Sequence, residues 1–153
     1  MLYSDDDYMQ SALQMAHKAE ASGEVPVGAV VVIENNIIAY GHNSSITTSD
    51  PTAHAEVVAL RNAAAILKNY RLSSATLYVT LEPCLMCLGA ILHARVSRLV
   101  FGAYDPRAGM ISSKGKCDEL NVLQTKLVFT GGILQVECSN ILKDFFKKRR
   151  NKK

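Results

Sequence analysis

Ala75-Thr-Leu-Tyr-Val-Thr-Leu81, then Glu82-Pro83-Cys84-Leu-Met-Cys87 and an apolar run to Ala94, is the stretch whose reading decides the fold. The first seven residues read as a strand. Pro83 then begins a helix that runs to about Ala94. Proline suits a first helical turn because its missing N–H would lack an intrahelical partner anyway. A strand that runs straight into a helix is the building unit of an α/β domain.

The alternation continues outward in both directions. Upstream, Val25 to Ile33 reads as a β-rich buried strand, Glu34-Asn35-Asn36 as a turn and Ile37 to Gly41 as the returning strand of a hairpin. Asp50-Pro51-Thr52 opens a helix through about Lys68, aided by Ala63-Ala64-Ala65. Nearer the start, Ser11 to Ala21 places Leu13, Ala16, His17 and Ala21 at helical spacing, with Gly23 as the stop. Downstream, Arg98 to Ala103 is a strand, residues 110–124 are irregular, and Lys126 to Thr130 is a fifth strand. From Ile133 onward, Leu134, Cys138, Ile141, Leu142 and Phe145 recur at helical spacing. This order predicts a three-layer α/β/α domain, with a central mixed sheet of about five strands flanked by helices. With no internal repeat or linker, residues 1–153 are expected to form a single domain ending in a basic helix or tail over 143–153.

A single domain of 153 residues buries roughly 70% of its unfolded surface, enough for a core without disulfide staples. The opening Met1-Leu-Tyr-Ser-Asp-Asp-Asp7 is acidic and lacks the basic flank and apolar core of a secretory signal. No apolar run approaches the ~20 residues of a membrane span. A cytoplasmic protein without membrane attachment is therefore expected. In that compartment the four cysteines point to metal binding or catalysis more than to disulfides, and Asn43-Ser44-Ser45 is a chance glycosylation sequon. The net charge of +3 is uneven: residues 143–153 carry seven basic residues and one acid, so the rest of the chain is net negative. A basic terminus on an acidic body fits either a local contact with a polyanion, most simply a nucleic acid, or a solvated tail.

Two segments carry chemistry: His54-Ala55-Glu56, and Pro83-Cys84-Leu85-Met86-Cys87. Cys84 and Cys87, three apart at a helix start, can aim both sulfurs at one point, and a helix N-terminus favours the thiolate that a metal needs. Zn²⁺ suits a mixed His/Cys set, and three protein ligands leave the fourth tetrahedral position to water, the pattern of catalytic zinc. Glu56 is then the natural proton carrier. Positions two apart on a regular helix diverge by about 200°, so His54 and Glu56 converge only at a helix entrance; Asp50-Pro51 just upstream supports that. Three other readings compete. Cys-x-x-Cys after a strand also suits a redox dithiol, Cys117 or Cys138 would complete a closed structural zinc site, and His54 or Glu56 alone would be an ordinary helix-start residue. The combination of His-x-Glu with Pro-Cys-x-x-Cys favours catalysis, because it matches the known signature of zinc deaminases acting on nucleobases.

Beyond that signature, the chain resembles the bacterial tRNA-specific adenosine deaminases of the cytidine-deaminase-like superfamily. The resemblance runs nearly end to end, through Val25-Pro-Val-Gly-Ala29, Asp50-Pro-Thr-Ala-His-Ala-Glu56, Asn69-Tyr-Arg-Leu72, Thr76-Leu-Tyr-Val-Thr-Leu-Glu-Pro-Cys84, Cys87, Val100-Phe-Gly-Ala103 and Asp144-Phe-Phe146. It implies a hydrolytic conversion of adenosine to inosine at the wobble position of a tRNA anticodon, typically in an arginine tRNA, by a homodimer with one Zn²⁺ per subunit. On that resemblance His54, Cys84 and Cys87 are the zinc ligands, Glu56 is the proton shuttle, and Asn43 hydrogen-bonds the target base. Asp105 and Arg107 belong to the loop that touches neighbouring anticodon nucleotides, and Arg107 stands where a lysine is common. Phe145, Phe146, Arg149 and Arg150 fall on the C-terminal helix that lines the RNA groove, although an amphipathic helix buries one face and so takes one phenylalanine into the core. A wobble base is already single-stranded, so flipping it into a pocket costs less than extrusion from a duplex. The rival with the same chemistry is a free-base deaminase, for guanine or cytosine.

Overall fold

Glu34 and Asn35 form a two-residue hairpin turn, both at positive φ (50° and 65°), the backbone that matches the twist of the flanking strands. They join β1 (Gly28–Ile33) to β2 (Asn36–His42), which pair antiparallel from Gly28↔His42 to Ile33↔Asn36 with a bulge between Val31 and Val32. The computed structural model describes residues 2–116 and 127–151. Around the hairpin lie α1 (Asp5–Ala21), α2 (Ser45–Thr48), α3 (Ala55–Leu67), β3 (Thr76–Leu81), α4 (Leu85–His93), β4 (Arg98–Ala103), β5 (Val128–Thr130) and α5 (Gln135–Asn151).

The strand order is β2-β1-β3-β4-β5. β1 runs antiparallel to β2 and β3, while β3, β4 and β5 are parallel, so the sheet is mixed and five-stranded as expected. Successive side chains leave opposite faces. Ala29, Val31, Leu77, Val79, Leu99 and Phe101 pack with Ala59, Leu60 and Ala63 of α3 and Leu88 and Ile91 of α4. Val30, Val32, Tyr78 and Val100 pack on the other side with Met9, Ala12 and Leu13 of α1 and Cys138 and Ile141 of α5. Two glycines let helices approach the sheet backbone. A Cβ on Gly28 would stand 2.1 Å from Ala12 O in α1, and one on Gly41 would stand 2.4 Å from Ala55 O in α3.

Several boundaries differ from the expectations, each for a local reason. α1 begins at Asp5, six residues before Ser11, because Ser4 and Asp7 form a capping box: Ser4 N–H donates to Asp7 Oδ2 (2.9 Å) and Asp7 N–H to Ser4 Oγ (3.3 Å). Its buried stripe runs through Met9, Ala12, Leu13, Ala16 and Ala19, whereas His17 and Ala21 are exposed. The start is fastened to the sheet by Arg98, which donates to Asp5 Oδ1 and Oδ2 (2.9 and 2.8 Å) beside a 2.7 Å bond from the Tyr78 hydroxyl. α3 begins at Ala55 instead of at Pro51, since Asp50 Oδ1 accepts from the Thr52 N–H (2.8 Å) and hydroxyl (2.7 Å) and closes a turn there first. The polar stretch from Ser44 to Ser49 contains the one-turn α2. α4 begins two residues after Pro83, with Cys84 as its N-cap. The expected start of β5 at Lys126, and Cys117, lie outside the described residues. Among those described, no helix is long and apolar enough to cross a membrane.

Candidate active site

Two helix starts meet at one point. His54 is the N-cap residue of α3, in extended backbone (φ −74°, ψ 153°), and Cys84 is the N-cap residue of α4 (φ −78°, ψ 177°) with Cys87 in the first turn. Neither side chain is engaged as a helix cap, and the two face each other across the gap. His54 Nδ1 lies 3.7 Å from Cys84 Sγ and 3.5 Å from Cys87 Sγ, and the three ligand atoms lie within 4.8 Å of one another. With Zn–N near 2.0–2.1 Å and Zn–S near 2.3 Å, two ligands at a tetrahedral angle stand about 3.6 Å apart. The nitrogen–sulfur distances fit that edge, and the donor set suits zinc. Among the described residues no fourth His, Cys, Asp or Glu joins the group; Cys138 lies buried in the other core layer.

The charges at this point are interdependent. The Cys87 thiol and the His54 imidazole, both hydrogen-bonded to Cys84, push the Cys84 thiol down to about 3, and that same bond with Cys84, with burial, pushes Cys87 up. His54 is raised by its bond to Cys84. Glu56, in the first turn of α3, is 4% exposed. Burial lifts its carboxyl to about 6 against the opposing pull of His54. Because His54 precedes the regular helix, the 200° divergence does not arise.

Asn43, just after β2, is half-buried, and its Oδ1 accepts from Ala55 N–H at 2.8 Å. The residue thus supplies α3 with the cap that His54 withholds, and its Nδ2 donors remain for another partner.

The chain matches the MafB19-like deaminase family over residues 3–150. A tRNA-specific adenosine deaminase of Haemophilus influenzae is 55% identical to it over 150 residues, covering 97% of this chain and 87% of that protein. The chain belongs to the tRNA-specific adenosine deaminase family. Its Bacillus subtilis relative of the same name is 43% identical, covering 97% of this chain and 92% of that protein. A solved structure from work on A-to-I editing by tRNA:A34 deaminases at the wobble position of transfer RNA is 39% identical, with a TM-score of 0.86, covering 88% of this chain and 98% of that one.

A groove of about 450 Å³ opens in this deaminase past Leu81 and Ala103, the last residues of β3 and β4. Tyr104, Asp105 and Arg107 form one wall, and Lys143, Phe146 and Arg150 of α5 the other. The two phenylalanines part company here. Phe145 is buried with Cys138 and Ile141 along the core stripe of α5 and so does not face the groove, whereas Phe146 lines it. Arg149 also turns away, lying 4.8 Å over the Phe145 ring and donating to Gly23 O at 3.3 Å. Lys143 and Tyr104 were not singled out from the sequence. Lys143 was findable, since 139, 142, 143, 146 and 150 share one helical stripe beside the core stripe 138, 141, 145.

Proposed function

We propose that this chain deaminates adenosine to inosine hydrolytically at the wobble position of a tRNA anticodon, an arginine tRNA in particular, with Zn²⁺ held by His54, Cys84 and Cys87. The observation that carries the reading is the His54 imidazole standing 3.5 and 3.7 Å from two sulfurs beside the buried Glu56. All three atoms lie within 4.8 Å of one another, a closeness that shared metal ligands require and a redox dithiol does not. When bound, the ion supplies a Lewis acid that makes water a nucleophile at neutral pH.

The remaining work falls to side chains of this chain. Glu56, buried in the first turn of α3 next to His54, is placed to exchange protons with groups at that centre. It takes a proton from the attacking water as the C6–O bond forms and delivers one to the exocyclic amine as the C–N bond breaks, releasing ammonia. Asn43, held through Oδ1 by Ala55, presents Nδ2 toward the base. Its 2.8 Å bond keeps that donor in place before substrate arrives.

An RNA substrate is supported by the groove. Lys143, Arg150 and Arg107 place cations around the Phe146 and Tyr104 rings, the combination by which single-stranded nucleic acid is held. Asp105 and Arg107 would meet nucleotides beside the wobble base; Phe145 and Arg149 support that wall from behind. We also propose a cytoplasmic homodimer. Leu85 and Met86, 64% and 37% exposed in the first turn of α4, are apolar surface beside the site that a second copy would cover.

Incubation of the zinc-replete protein with a set of unmodified tRNA transcripts, read for inosine by sequencing, tests the proposal. Inosine at the wobble position of an arginine tRNA is the expected result. Turnover of free guanine or cytosine with no inosine in any transcript would overturn it.

A further inference from the structure

Glu82 lies between the end of β3 and the ligand Cys84, and it is 2% exposed. A carboxylate buried so deeply needs donors around it. Oε1 accepts from Asp105 N–H (3.0 Å) and from the Ser113 hydroxyl; Oε2 accepts from the N–H groups of Ile111 (3.0 Å), Ser112 (2.8 Å) and Ser113 (3.0 Å). All these donors come from the loop that follows β4. Gly109 lies over the carboxylate, where a Cβ would stand 2.3–2.6 Å from its carbon and oxygens. Its φ is not left-handed, so the position needs glycine for room and not for backbone freedom. Two flanking main-chain bonds close the arrangement: Met110 N–H to Pro83 O (2.9 Å) and Glu82 N–H to Ala103 O (2.8 Å).

With its amides turned inward, the loop turns Asp105 and Arg107 into the groove wall. Asp105 Oδ1 fixes the turn further by accepting from Arg107 N–H at 3.1 Å. We propose that Glu82 is a positioning residue for RNA: its carboxylate sets the loop over 105–113 so that the wall receiving the nucleotides next to the wobble base is formed before RNA binds. This rests on the tRNA reading above. A loop ordered in advance leaves less conformational freedom to be lost on binding, so the effect belongs in affinity. Glu82 touches no reacting atom, and the rate once RNA is bound depends on other groups.

The test uses Glu82→Gln and Gly109→Ala in the zinc-replete protein. Glutamine keeps the shape but turns an NH₂ toward at least one set of N–H donors; alanine displaces the loop and leaves Glu82 in place. Readouts are zinc content, Kd for an unmodified anticodon stem-loop, the single-turnover rate at saturating RNA, and amide hydrogen exchange. Each folded variant is expected to keep its zinc and a saturating rate within about threefold. Kd should rise about tenfold or more, with faster exchange at Asp105, Ile111, Ser112 and Ser113. If Glu82→Gln does not fold, Gly109→Ala decides by the same measures. A Kd unchanged in Gly109→Ala despite faster exchange, or a lost saturating rate at unchanged Kd, overturns the role while the tRNA reading stands. Failure of the unsubstituted protein to bind or deaminate the stem-loop overturns both.

Discussion

Asn43 Oδ1 accepts from the Ala55 N–H at 2.8 Å, so the residue that resemblance assigns to the base is also the cap of the helix that carries His54 and Glu56. The two roles use different atoms, and substitutions separate them. Asn43→Ala loses both and should cost about 1 kcal/mol of stability, as helix caps do. Asn43→Asp keeps the acceptor and adds a negative charge at a helix N-terminus. Its melting temperature should match or exceed the parent's while turnover falls tenfold or more. Full activity in a stable Asn43→Asp protein would remove the base contact from the reading.

Glu56 is buried and outside the ligand group. Glu56→Gln should therefore keep zinc and fold while losing about 10²–10⁴ in turnover, the span of general acid–base catalysis. Metal analysis alongside a single-turnover assay measures both; loss of zinc in parallel with activity would make Glu56 a ligand instead.

Chelation should abolish activity, and added Zn²⁺ should restore it. Cys84→Ser and Cys87→Ser should each lower zinc occupancy. Cys138→Ser should not, since Cys138 is a core residue packed against Gly102; a hydroxyl there should cost about 1–3 kcal/mol of stability. A zinc-free Cys138→Ser protein would point to a closed structural site.

Glu24 gives the fold a pH dependence of known sign. It is 2% exposed and accepts from the Ile46 N–H (3.1 Å), Thr47 N–H (2.7 Å) and Thr47 hydroxyl (2.7 Å). Burial works against its charge, but the Thr47 and Ile46 donors outweigh burial, and its pKa is lowered. The resulting stability is fully present above the unfolded value of about 4.3 and is lost as the pH falls through the lower folded value. Glu24→Gln should be less stable than the parent at pH 7, with the gap in urea midpoint closing below about pH 4. An equal gap at pH 7 and pH 3 would contradict this.

Lys143 and Arg150 line the groove, whereas Phe145 belongs to the core. Removing residues 143–153 would therefore damage folding as well as RNA binding, and point substitutions give the cleaner test. Lys143→Ala with Arg150→Ala should weaken stem-loop binding and flatten its salt dependence by about 0.7 in log–log slope for each phosphate no longer neutralised. An unchanged slope would place the RNA elsewhere.

The local parts of this protein were legible in its sequence. The βα alternation follows from hydrophobic periodicity, which is a property of neighbouring residues, and β4 begins and ends where that pattern places it. The donor atoms could be named for a similar reason, because His-x-Glu and Cys-x-x-Cys at helix starts carry their chemistry with them. The capping box Ser4-x-x-Asp7 is equally local, and it places the start of α1 ahead of the apolar stripe from which that helix was expected.

Tertiary structure decided what depends on distant segments meeting. His54 and Cys84 are 30 residues apart, and only the packing of α3 and α4 on one face of the sheet brings their caps to a common point. The Glu82 carboxylate and the loop that encloses it, the turn of Phe145 inward and Phe146 outward, and the double duty of Asn43 are of the same kind. Each is settled by which surface an element buries. That choice is made by the whole core, because a periodic pattern marks a face as apolar without saying what will cover it.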